Sequence, residues 1–90
     1  MNPFSSDKWL NKPLKLWMPA TYRIGVQGVL EKRWADRLGA MRISIEEPRE
    51  AASTTVLMGR VRDQAELIGI LNSLYGLHLP ILSVEILEIE

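Results

Sequence analysis

The chain has 90 residues, 47% of them apolar, and its 11 basic and 11 acidic side chains leave a formal net charge of zero. A chain of this length makes one domain with a modest core, and its neutrality argues against a broadly basic nucleic-acid-binding surface. With no cysteine and one histidine, neither a disulfide framework nor a four-ligand zinc site is expected.

Residues 1–20 read as a tail and residues 21–90 as a single domain. The tail holds Pro3, Pro13 and Pro19 with Phe4, Trp9 and Trp17. On a helical projection Trp9, Leu10, Leu14, Trp17 and Met18 separate from Lys8, Lys12 and Lys15. Proline is tolerated in the first turn of a helix but not in its interior, so a short amphipathic helix is predicted to begin near Pro13. Such a segment suits a partner's groove; an anionic membrane surface is a less favoured destination. The competing reading folds the tail back, with its tryptophans covering the domain's own open sheet face.

Within the domain, Tyr22, Ile24 and Val26 alternate with Arg23, Gly25 and Gln27, predicting a first strand from Tyr22 to Leu30. Trp34, Ala35 and Leu38 recur at helical spacing before Gly39, predicting a helix of about two turns. Met41, Ile43 and Ile45 alternate with Arg42, Ser44 and Glu46, giving a second strand. The polar stretch from Glu47 to Ser53, which includes Pro48, is a hairpin connection. Thr54 to Val61 is rich in β-branched residues and reads as a third strand.

Asp63 and Glu66 have the spacing of an acidic capping box. Leu67, Ile68, Leu71, Leu74 and Tyr75 then mark the buried stripe of a second helix. Gly76 is placed as its left-handed stop, and Pro80 bars resumption. Ile81 to Ile89 is the last strand, with Leu82, Val84 and Ile86 toward the core and Leu87 and Ile89 toward the opposite face.

The order strand, helix, strand, strand, helix, strand predicts an α+β fold of the ferredoxin-like, split β-α-β-β-α-β kind. In the usual strand order 4-1-3-2, a four-stranded antiparallel sheet carries both helices on one face. Arg23, Gln27, Arg42, Ser44, Val56, Met58, Arg60, Ser83, Glu85 and Leu87 are then expected on the open face. Both faces of the third strand are substantially apolar.

Gly28 to Leu30 form a G-x-L strand end, and Arg33-Trp34 through Leu38 form an R-W-x-x-x-L segment. Thr55 through Leu71 form a T-x-L-x-G-x-V-x-D-Q-A-x-L-x-G-x-L junction. Across residues 22–86 this pattern resembles a group of small bacterial single-domain proteins of unassigned function. The resemblance implies a stand-alone domain and carries no reaction, ligand or functional residue with it.

Motifs for chemistry are sparse. The sequence contains no phosphate-cradling glycine loop and no nucleophile elbow. His78 sits between Gly76 and Pro80 without a neighbouring acid and reads as a surface loop residue. Glu46, Glu47 and Glu50 lack the alternating oxygen ligands of a calcium loop. Arg33-Trp34 reads as a packed tryptophan beside a solvated arginine rather than a cation–π recognition site, and Asp63-Gln64-Ala65-Glu66 as a helix cap rather than an acid pair. Arg23, Arg42 and Arg60 could form a basic stripe, but the sheet lacks the aromatic platform on which RNA-binding domains of this topology stack bases. No nucleic acid, metal or cofactor is expected.

The sequence is therefore read as a non-enzymatic protein-interaction or regulatory domain that forms a homo-oligomer. Its expected contacts are Trp9, Leu14 and Trp17 of the tail and Arg23, Met58, Leu87 and Ile89 of the sheet. An apolar outward face on an edge strand invites pairing. Two alternatives stand beside this reading. One is a small-metabolite-sensing domain of the ACT type; the other is a dimeric α+β barrel enzyme drawing on His78 or Tyr22. No stretch approaches the ~20 apolar residues of a membrane-spanning helix. The N-terminus also lacks a signal-peptide pattern, so a cytoplasmic protein is expected.

Overall fold

The computed structural model describes residues 13–39, 41–49 and 51–90. The tail contact expected at Trp9 lies outside these residues. Four strands, β1 (Ala20–Gln27), β2 (Arg42–Glu46), β3 (Thr54–Val61) and β4 (Ile81–Ile89), form one antiparallel sheet in the order β2-β3-β1-β4. A single α-helix, Gln64–Gly76, joins β3 to β4. The architecture is α+β with an open sheet, and β1 and β3 are its central strands. No helix among the described residues is long and apolar enough to cross a membrane.

The segment predicted as a first α-helix is instead a 3-10 helix, Lys32–Leu38. It has seven residues, and Glu31 before it contributes no side-chain cap. Nucleating an α-helix costs more than so short an uncapped run returns, whereas 3-10 turns serve as short connectors. The expected pair of α-helices over the sheet is thus one α-helix accompanied by a 3-10 segment. The segment still reaches the core through Leu38, with Trp34 partly buried against it.

Cross-strand register settles the faces. Ala20, Tyr22, Ile24 and Val26 of β1 stand opposite Val61, Gly59, Leu57 and Thr55 of β3. This is the helix-side face, where Ile24, Val26, Leu57 and Val61 are fully buried with Leu67, Ile70 and Leu74 of the helix. Arg23 lies opposite Met58, and Gly25 opposite Val56, on the other face, as the alternation predicts.

β4 departs from the expected alternation at two points. Val26 and Gly25 are opposed by Ile81 and Ser83, leaving Leu82 as an extra residue. Tyr22 and Thr21 are opposed by Ile86 and Glu88, leaving Leu87 as the second. Each two-against-one step is a β-bulge, a device common on edge strands. The bulge at Leu87 reverses parity, so Ile89 stands opposite Ala20 on the core face, 9% exposed. Ile89 therefore does not lie on the outward face predicted for it. Leu82, predicted to face the core, is exposed at the other bulge.

Both helix ends are refined in the same way. Asp63 accepts a hydrogen bond from the Glu66 N–H at 2.8 Å, as a cap should. Glu66 Oε1 accepts from the Arg62 N–H at 3.0 Å, one residue outside the position a capping box uses. At the other end, His78 takes the left-handed conformation (φ 62°) in place of Gly76. The Leu79 N–H reaches the Leu74 carbonyl at 3.2 Å and the His78 N–H reaches the Tyr75 carbonyl at 2.9 Å. These two bonds form a Schellman motif, with His78 at the position usually held by glycine.

The predicted tail helix is absent from the part of the tail described here. Residues 15–18 instead form a tight turn in which the Met18 N–H donates to the Lys15 carbonyl at 3.0 Å. The Gln64 N–H, at the start of the helix, holds the turn by donating to the Leu16 carbonyl at 2.9 Å. The described tail thus packs against the helix N-terminus and not over the open sheet face.

Candidate functional site

The helix buries Leu67, Ile70 and Leu74. A second stripe, Ile68, Leu71 and Tyr75, is set off by one residue along the same helix. Ile68 and Tyr75 are exposed, and Leu71 is half-buried against the core. The two stripes together are wider than the contact a single helix makes with the sheet. The helix-side face of β4 is left partly open, with Val84 exposed and Ile86 half-buried.

The result is a cleft of about 460 Å³ lined by Leu14, Tyr22, Gln64, Leu67, Val84, Ile86 and the rim residue Glu85. Leu14 enters from the tail turn, Tyr22 from β1, Gln64 and Leu67 from the first turns of the helix, and the others from β4. Its walls are mainly apolar, with one polar feature: the Gln64 side-chain amide donates to the Tyr22 hydroxyl. A mainly apolar hollow with a few placed polar groups is the usual form of a recognition pocket.

Beside the cleft stands a projection. Leu16 and Trp17, at the tip of the Lys15–Met18 turn, are 74% and 72% exposed. Leu14 and Gln64 border both features, since they line the cleft and also the shallow hollow under Leu16 and Trp17. The Lys15 ammonium lies 5.8 Å from the Trp17 ring centroid, within cation–π range.

The residues expected from sequence fall in three places. Leu14 and Trp17 stand at the cleft and the projection. Arg23 and Met58 are cross-strand neighbours on the open face, where Arg23 pairs with Glu85 at 3.3 Å and Arg60 with Glu90 at 2.6 Å. Two of the three arginines of the basic stripe are therefore matched by carboxylates. Leu87 and Ile89 close β4, one exposed at a bulge and one buried. Sequence reasoning missed Gln64, Val84 and Ile86 as parts of a surface. Gln64 is polar and Val84 and Ile86 follow the core-face alternation, so the sequence carried no signal for them.

Two further arrangements bear on chemistry. Trp34 lies within 5.3 Å of the Arg33 guanidinium and 4.8 Å of that of Arg37, measured to the ring centroid. Side chains at i and i+3 eclipse in a 3-10 helix, which brings Arg37 over the ring. His78 and Tyr22, the two side chains considered for catalysis, line separate hollows. Among the described residues no three His, Cys, Asp or Glu side chains cluster as metal ligands would.

Comparison with known proteins adds a family and no relative. No curated protein and no solved structure matches the chain. The pattern of the family described as "Domain of unknown function (DUF8691)" matches residues 21–85, from the second residue of β1 to the middle of β4. The chain belongs to the DUF8691 family.

Proposed function

We propose that this chain is a non-enzymatic protein-interaction or regulatory domain, cytoplasmic and homo-oligomeric, built on a ferredoxin-like framework. The strand order β2-β3-β1-β4, with antiparallel neighbours throughout, supports that framework. The 3-10 segment then stands where the first helix of the pattern would be. The observation that carries the functional reading is the mainly apolar cleft with the exposed Leu16 and Trp17 bordering it through Leu14 and Gln64. Val84 is exposed within it, and Ile81, Leu82 and Leu87 are exposed along the same strand. Scattered apolar residues need no explanation, but a contiguous patch marks a contact surface. Trp9 and the open-face pair Arg23 and Met58 belong to the proposal as secondary contacts.

The test is affinity purification of the tagged full chain from its native cell, beside Val84→Asp and Met58→Asp variants whose folding is verified by circular dichroism. Loss of specific partners with Val84→Asp and their retention with Met58→Asp is the expected result. Identical partner sets for all three proteins would remove the cleft from the proposal.

The Tyr22–Gln64 pair favours one second reading, in which the cleft holds a small metabolite bearing a hydrogen-bonding group. Ligand binding to the native state raises its stability by mass action. A metabolite screen that shifts the melting temperature of the parent chain but not of a Tyr22→Phe, Gln64→Ala variant would select this reading.

A further inference from the structure

We infer that the occupant of the cleft is the Leu16–Trp17 turn of a second copy of this chain, inserted reciprocally about a two-fold axis. The inference rests on the interaction reading above and names its partner. A two-fold interface uses the same patch on both subunits, so that residue i meets j while j meets i. Such a patch needs a projection and a matching recess side by side. Here the projection is Leu16 and Trp17, both more than 70% exposed. The recess is walled by Tyr22, Leu67, Val84 and Ile86. Leu14 and Gln64 form the boundary between projection and recess.

Area bears on this occupant and charge does not, because Glu85 at the cleft rim already pairs with Arg23 on the open face of the sheet. Burying one large aromatic side chain removes about 150–250 Å² from water. Each partner then buries one ring and one matching wall, about 300–500 Å², a total below ~1,200 Å² that belongs to weak, reversible association. The bulges at Leu82 and Leu87 interrupt the β4 edge, which disfavours simple strand-to-strand pairing as the mode of association.

Sedimentation equilibrium of the full chain from ~1 to ~100 μM tests the inference, the upper range being where interfaces of modest area associate. A monomer–dimer equilibrium is expected. Trp17→Ala and Val84→Asp should each weaken it at least ~30-fold, the effect of removing a central anchor. Because the chain has no cysteine, Leu16→Cys and Val84→Cys proteins can be mixed and oxidised. A 16–84 cross-linked dimer should dominate over 16–16 and 84–84 products, since a disulfide needs closely matched positions. A folded monomer throughout the concentration range overturns the inference, as does a dimer indifferent to both Trp17→Ala and Val84→Asp. If the chain is monomeric while Val84→Asp still abolishes partner capture, the interaction reading stands and the second-copy assignment falls.

Discussion

The Thr55 hydroxyl accepts the Leu30 backbone N–H at 3.0 Å and donates to the Gly28 carbonyl at 2.7 Å. One side chain of β3 thus satisfies both ends of the turn that leaves β1, deep enough that Thr55 is the buried polar residue of the core. Gly28, with φ 103°, gives that turn its backbone direction. The G-x-L and T-x-L elements noticed in the sequence are therefore the two halves of one hydrogen-bonded joint. Thr55→Val keeps the shape but strands a donor and an acceptor, each costing about 1–3 kcal/mol when buried and unpaired. Urea unfolding should show a loss of about 2 kcal/mol or more, with a smaller loss for Thr55→Ser. A Thr55→Val protein as stable as the parent would refute the joint.

His78 closes the helix in a conformation that costs an ordinary L-residue roughly 1–2 kcal/mol and glycine almost nothing. His78→Gly relieves that cost but adds freedom to the unfolded chain. The net effect expected is a gain of about 0.5 kcal/mol, a rise of roughly 2–4 °C in Tm for a domain of this size. Since the ring is exposed, His78→Ala should lose no binding, and it should lower stability slightly. A drop in stability for His78→Gly would contradict the Schellman geometry.

Leu87 and Ile89 give a direct test of the β4 bulge. On a regular strand they share a face and should respond alike. In the observed register only Ile89 enters the core side, so Ile89→Ala should cost about 2 kcal/mol or more, as buried truncations do. Leu87→Ala should stay within about 0.5 kcal/mol in the same denaturation assay. Equal losses would mean that the strand runs without the bulge.

Asp63→Ala should remove the N-cap bond to Glu66 and lower stability by about 1 kcal/mol. The same variant also tests the tail turn, because Gln64, the next residue, holds Leu16 through its backbone N–H. Proteolysis near Lys15 should quicken in Asp63→Ala if the cap and the turn are mechanically linked. Unchanged cleavage would separate them.

Local periodicity was enough to place β3 and β4 at their observed limits and to locate the cap at Asp63. These features depend on side-chain alternation and short-range hydrogen bonding, which neighbours in sequence supply. Three features escaped that logic. A bulge shifts parity without any change in composition, so Ile89 could not be distinguished from Leu87 by alternation. The left-handed residue at the helix end was assigned to Gly76 on intrinsic preference, while the packing of Leu79 against the core drew the chain onward to His78. The 3-10 segment had helical spacing, but nothing in its sequence measured how much tertiary support it would receive.

The sequence by itself determined the α+β order, the strand faces at the centre of the sheet, and the expectation that function rests on exposed apolar surface. Tertiary structure decided where that surface lies. Sequence reasoning looked to the tail and the open sheet face, because alternation describes one strand at a time. The cleft arises between separate elements: the first turns of the helix, the tail turn, and an edge strand that the helix only partly covers. Only the assembled layers show that Val84 remains exposed and that Trp17 projects beside it.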